Sequence, residues 1–152
     1  MFRTMSSRVL LVGVLLLAIS SGVCLAVTVN INPHKIVLNA EGKADDVQAN
    51  IPIILASAKI VEFDVILSFN DGTGNIAVAE AESARYCLID DMLIIGFDRT
   101  ELQDNPDVQD MANSTVEATV EGSVTVINAD GEEITTAFNG SDMVEIVKPG
   151  KK

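Results

Sequence analysis

The chain has 152 residues, 48% of them apolar, and its 22 acidic and 10 basic side chains give a net charge of −12. That apolar share suits one packed domain rather than a disordered chain. The acidic balance excludes a nucleic-acid surface, whose phosphates require basic groups; with no Trp, one Tyr and five Phe, the chain also has few rings on which bases or sugars stack.

Arg3 and Arg8 flank the start of an apolar run over residues 9–23, and Cys24-Leu25-Ala26 follows it with a small residue suited to cleavage. This is the three-part pattern of a secretory signal peptide over residues 1–26. Kept rather than cleaved, residues 9–29 approach the roughly 20 apolar residues that span a bilayer, and would tether the chain. A lipidated Cys24 is opposed by Val23, where a small residue is needed. The expected location is therefore secreted, extracellular or cell-surface, with membrane contact only through an uncleaved N-terminal segment. Removing Arg3 and Arg8 with the leader leaves 8 of the 10 basic groups against 22 acidic ones, a charge of −14, and one cysteine, Cys87. No disulfide can then form within the mature chain. Cys87 reads as a small apolar residue between Tyr86 and Leu88, or as a thiol for an intermolecular bond.

The domain itself is expected over residues 27–148, with a polar tail at 149–152. Val27, Val29 and Ile31 alternate with Thr28, Asn30 and Asn32, the period of a strand with one buried face. Pro33 ends that run, residues 35–38 resume it, and a turn is expected over 39–43. Residues 47–55 read as a further strand in which Pro52 marks an edge or a bulge. The clearest alternation is Val61, Phe63, Val65, Leu67 and Phe69, ending at the turn Asn70-Asp71-Gly72-Thr73-Gly74-Asn75. Residues 86–89 read as a short strand, and 92–97 as a central one covered on both faces. Asp98 to Glu101 has capping-box spacing and Asn105-Pro106 resembles an N-cap with proline at the first helical position, so a short helical connection is expected. Val116, Ala118, Val120, Val124 and Val126 share one parity along a long strand, with Gly122 as its expected bulge. Asp130-Gly131 signals a hairpin, Asn139-Gly140 a second turn, and residues 143–147 the last strand. Seven to nine short strands with regular turns predict an all-β, antiparallel β-sandwich of immunoglobulin-like or cohesin-like type.

Gly96-Phe97-Asp98-Arg99-Thr100-Glu101-Leu102, the Val116 to Gly122 strand, Asp130-Gly131, Phe138-Asn139-Gly140-Ser141-Asp142 and Val144-Glu145-Ile146-Val147 follow one another in a telling order. It resembles a β-sandwich module of bacterial and archaeal surface proteins, fairly over residues 92–147 and loosely over 31–69. The resemblance implies a secreted domain without known catalysis. Such modules commonly carry an aspartate-rich calcium loop before the central strand. Here Ala84-Arg85-Tyr86-Cys87-Leu88-Ile89-Asp90-Asp91 lacks the alternating Asp/Asn and glycine of such a loop, so calcium binding does not carry over.

Neither a nucleophile elbow, a phosphate loop, His-Glu-x-x-His nor Cys-x-x-Cys occurs, and the one histidine is His34, beside Pro33. The chain is therefore read as no enzyme, with no resident cofactor. Carboxylate pairs such as Asp45-Asp46, Asp90-Asp91 and Glu132-Glu133 read as a solvated surface. Two loops nevertheless offer oxygens to a hard cation such as calcium: residues 70–75 through Asp71 and Asn75, and residues 104–110 through Asp104, Asp107 and Asp110. Neither matches a twelve-residue calcium loop with its closing bidentate glutamate. Asn113 and Asn139 stand in glycosylation sequons. The leading expectation is a non-catalytic structural or protein-interaction module that meets other surface or extracellular proteins, or further copies of itself through edge strands, with residues 27–31 as a candidate donated strand. A calcium- or carbohydrate-binding module is the alternative.

Overall fold

A computed structural model describes residues 24–38 and 46–148. Residues 1–23 of the expected signal peptide, the turn expected at 39–43 and the expected tail at 149–152 lie outside the described residues. No helix among the described residues is long and apolar enough to cross a membrane.

Nine strands and two short helices follow in chain order: β1 (Cys24–Ala26), β2 (Asn30–Asn32), β3 (Lys35–Val37), β4 (Val47–Pro52), β5 (Ile60–Asn70), β6 (Asn75–Cys87), β7 (Met92–Phe97), α1 (Arg99–Gln103), α2 (Pro106–Asp110), β8 (Ser114–Ile127) and β9 (Glu133–Val147). β5 and β8 form where the period-two pattern is strongest. Val65, Leu67 and Phe69 point into the core and so do Val116, Ala118, Val120, Val124 and Val126. Burying a side chain of the Val, Leu or Phe class stabilises by about 1.5–3 kcal/mol, and these two strands pair over most of their length. Asp98 caps α1 by accepting from Thr100 N–H, and Asn105 caps α2 through Asp107 N–H with Pro106 in the first turn. Glu101 does not close the capping box. Its carboxylate accepts from Glu80 N–H of β6 at 3.3 Å instead.

The strands join in one hydrogen-bonded path, β1-β9-β8-β5-β6-β7-β4-β2, with β3 also on β9. β6 changes partner midway: its first half pairs with β5 and residues 81–87 pair with β7. The sheet therefore curls into a half-barrel around Ile31, Ile36, Ile51, Leu67, Phe69, Leu93, Phe97 and Phe138, all almost fully buried. Its ends are tied where Ile31 N–H of β2 donates to the Asp142 carboxylate of β9 at 2.8 Å. The sheet is mixed rather than purely antiparallel. β1 and β3 both run parallel to β9, because the N-terminal segment lies along that strand instead of returning through a hairpin.

Four local expectations are corrected. Residues 88–89 form a turn with Ile89 93% exposed, while the strand before them begins at Asn75. Asn139-Gly140 makes no turn. β9 runs through it, and the glycine is required because a Cβ there would lie 2.3 Å from Val27 O. Gly122 is no bulge, since the register on both its sides is continuous; a Cβ on it would meet Asp64 O at 2.1 Å. Residues 27–29 do not extend a strand, although Val29 and Ile31 are buried in the core as their alternation requires. Asp130-Gly131 does close the β8–β9 hairpin: Gly131 has φ +81° and the Asn128 side chain accepts from Asp130 and Glu132 N–H.

Candidate functional site

The two loops with carboxylates in sequence face one another across a single cleft of about 590 Å³. Asp71 enters from the β5–β6 turn, Asp107 and Asp110 from α2, and Glu117 from β8, over a floor that includes Ile76, Met111 and Val116. Asn75 and Asp104 do not line it. Asn75 begins β6 opposite Asn70, and Asp104 is the C-cap of α1.

Asp71 is held by its own turn. Its Oδ1 accepts from Thr73 N–H at 2.8 Å, Thr73 Oγ1–H at 2.6 Å and Gly74 N–H at 3.2 Å. The bonds from Thr73 hold its carboxyl below the ordinary range, with slight burial opposing them, so it stays ionised at neutral pH. Gly72, at φ +97°, supplies the left-handed residue that this turn needs. Asp107, Asp110, Glu117 and the remaining Asp71 oxygen line this cleft, but among the described residues the acidic group whose ligand oxygens all lie within 4.8 Å of one another is Asp46, Glu82 and Asp98, not these. Acidic walls over an apolar floor suit a hard cation or an ammonium or guanidinium group.

A second acidic group was not legible in sequence. Ligand oxygens of Asp46, Glu82 and Asp98 lie within 4.8 Å of one another. Asp46 precedes β4, Asp98 caps α1, and Glu82 is the extra residue where the β6–β7 register shifts between Ala81 and Ser83. Such a bulge re-aims a side chain. Partial desolvation, then the charges of Asp46 and Asp98, raise the Glu82 carboxyl above its usual range. Arg99, almost wholly buried, lines an adjoining cavity with Asp46, Gln48 and Lys35 and donates to Val37 O at 3.4 Å.

At another place three large aliphatic side chains face water: Ile54 is 82% exposed, Leu88 56% and Ile89 93%. They share one end of the molecule because Tyr86 staples it. The Tyr86 hydroxyl accepts from Leu55 N–H at 3.1 Å and donates to Ile53 O at 3.0 Å, with the Asp91 carboxylate a second acceptor at 3.0 Å. Ile53 N–H also donates to Asp91 O at 3.1 Å. The exposed residues thus ride on a fixed hairpin end.

His34 is exposed, with Nδ1 3.4 Å from the Asp142 carboxylate. Cys87 is half-buried rather than buried, its Sγ 3.5 Å from Asp90 Oδ2, and Cys24 is exposed. Asn113 lies in a turn at φ +64°, whereas Asn139 sits within β9 and donates through Nδ2 to Cys24 Sγ at 3.1 Å. The chain matches no protein-family model, and no curated protein matches it.

Proposed function

We propose that this chain is an exported, non-catalytic β-sandwich module, immunoglobulin-like or cohesin-like, that holds another protein at the cell surface through its apolar end. Exposure of Leu88 and Ile89 on the β6–β7 turn, and of Ile54 on the segment bonded to it through Tyr86 and Asp91, carries the reading. Isolated exposed aliphatics are ordinary, but three large ones gathered at one rigid end are the composition of a contact site. Asp90 and Asp91 flank them, so the fitting partner has an apolar pocket with a basic rim. The switch of β6 from β5 to β7 supports two layers sharing one strand, as in a sandwich. The leader over residues 1–26 supports export.

A photo-crosslinking residue at position 89, expressed in the native host, tests this against one at the exposed position Glu121. The expected result is a discrete adduct from position 89 that disappears in an Ile54→Ser, Leu88→Ser variant which still melts like the parent. Equal adducts from both positions, or none from 89, would sink the reading.

A second reading is favoured by the meeting of Asp71, Asp107 and Asp110 at one cleft: calcium bound there, as support for the β5–β6 turn. Calcium-dependent melting tests it, because a ligand held only by the folded state stabilises that state by mass action.

A further inference from the structure

We propose that β9 carries a strand-acceptor edge over residues 134–138, blocked at Ala137 and Phe138 by β1 in the unprocessed chain, that pairs with the same edge of a second copy once residues 1–26 are removed. This rests on the export-with-cleavage reading above. One edge of β9 is taken by β8. Along the other lies the N-terminal segment: β3 pairs with residues 145–147, His34 O accepts from Glu145 N–H at 2.8 Å, and Asn139 O accepts from Val27 N–H at 2.8 Å. All of these contacts belong to residues that cleavage keeps. Of the described residues only β1, paired with Ala137, Phe138 and Asn139, is lost.

β1 is held by its backbone pairing with β9 and by the bond from Asn139 Nδ2 to Cys24 Sγ. Cys24, Leu25 and Ala26 are all exposed, and every buried core residue lies between Val29 and Ile146. Removing it therefore opens an edge without removing any of the described buried core residues.

The edge that opens is unprotected. Ile134-Thr135-Thr136-Ala137-Phe138-Asn139-Gly140-Ser141 carries no charge, in a chain with 22 acidic residues. Edge strands in solution are usually guarded by charge, proline or a bulge, and here β1 guards Ala137 and Phe138. The chemistry also favours a second copy as the occupant. An antiparallel pair about a two-fold axis at Thr136 sets Ile134 opposite Phe138 and Thr135 opposite Ala137, and stops short of Asn139, whose carbonyl stays with Val27 N–H. No two acidic groups meet. Such an isologous contact closes after two copies and makes no fibre. The β2–Ile31 region is already engaged with β4 in its own chain, so β9 is an acceptor rather than the N-terminus a donor.

Sedimentation velocity of chains 24–152 and 27–152 over a rising concentration series tests the edge. The expected result is a monomer for 24–152 and a concentration-dependent dimer for 27–152. Thr136→Glu in 27–152, which sets two like charges opposite one another, is expected to raise the dimer Kd about tenfold with melting unchanged. Monomers for both chains, or a dimer indifferent to Thr136→Glu, overturn the proposal. Intact mass of the protein from its native host tests the leader separately: a start at Val27 supports the trigger, and retention of residues 24–26 overturns it without bearing on the sedimentation result.

Discussion

Replacing Tyr86 by Phe removes one oxygen atom and strands two backbone groups in the core. Leu55 N–H and Ile53 O both bond to that hydroxyl, and Tyr86, Leu55 and Ile53 are each at most 7% exposed. A buried donor or acceptor left without a partner costs about 1–3 kcal/mol. The phenyl ring keeps the packing, so the loss comes from the orphaned pair, and about 3 kcal/mol is expected. For a domain of this size each kcal/mol moves Tm by roughly 3–5 °C, so Tm falls by about 9–15 °C. Urea denaturation followed by circular dichroism measures this without relying on the residue that is removed. A loss below about 0.5 kcal/mol, the scale of an ordinary surface change, would refute the claim that this hydroxyl staples residues 53–55 to the hairpin. The same contact has a pH signature. Burial raises the phenol above its ordinary value, so its contribution is complete below the unfolded value near ~10 and is lost as pH climbs through the higher folded value. Wild type should lose Tm in that alkaline window relative to Tyr86→Phe.

Gly122→Ala should cost about 2–3 kcal/mol by urea denaturation, because its Cβ meets Asp64 O and Val65 Cα, backbone atoms that cannot rotate aside; a neutral result would mean that β5 does not pass so close. Glu82→Gln should raise Tm at pH 7, since the raised carboxyl is most favourable protonated, below the unfolded value of about 4.3, and loses that contribution as pH rises through its folded value. The advantage should vanish near pH ~4, and its persistence there would contradict the assignment. Asp71→Asn tests the opposite sign: a depressed carboxyl stabilises above about 3.9 and fails as pH falls through its folded value. Wild type should then show an acid loss of Tm that the variant lacks, and parallel pH curves would refute it. Calcium at about 100 times its Kd should stabilise by about 2.7 kcal/mol, and Asp107→Asn with Asp110→Asn should abolish the Tm rise; an unaltered rise would place the ion elsewhere.

Carbohydrate binding has less support from the same cleft. Its floor holds Ile76, Met111 and Val116 and no aromatic ring, and a sugar face is ordinarily carried on Trp or Tyr. The single tyrosine is buried as a structural staple.

Period and punctuation alone determined much of this molecule. The parity of Val65, Leu67 and Phe69, the valine parity of β8, the apolar run of β7 and the side-chain caps at Asp98 and Asn105 depend on neighbours within a few residues and stand in the structure, whereas Val61, expected on the buried face with them, is 45% exposed where the β5–β8 register shifts between Ile60 and Glu62. β6 was not legible, because Ile76-Ala77-Val78-Ala79-Glu80-Ala81-Glu82 is rich in helix formers and becomes a strand only between β5 and β7. Asn139-Gly140 carries the letters of a turn, yet its glycine serves the passage of Val27, more than a hundred residues earlier in the chain. Acidic residues could be counted in sequence but not grouped. Asp71 lines one cleft with Asp107 and Asp110, and Asp46 meets Glu82 and Asp98, only because the sheet curls and β6 carries an extra residue at Glu82. Local pattern sets which face of each strand is apolar, whereas which carboxylates share a cleft and which edge lies open follow from strand order, a property of the whole chain.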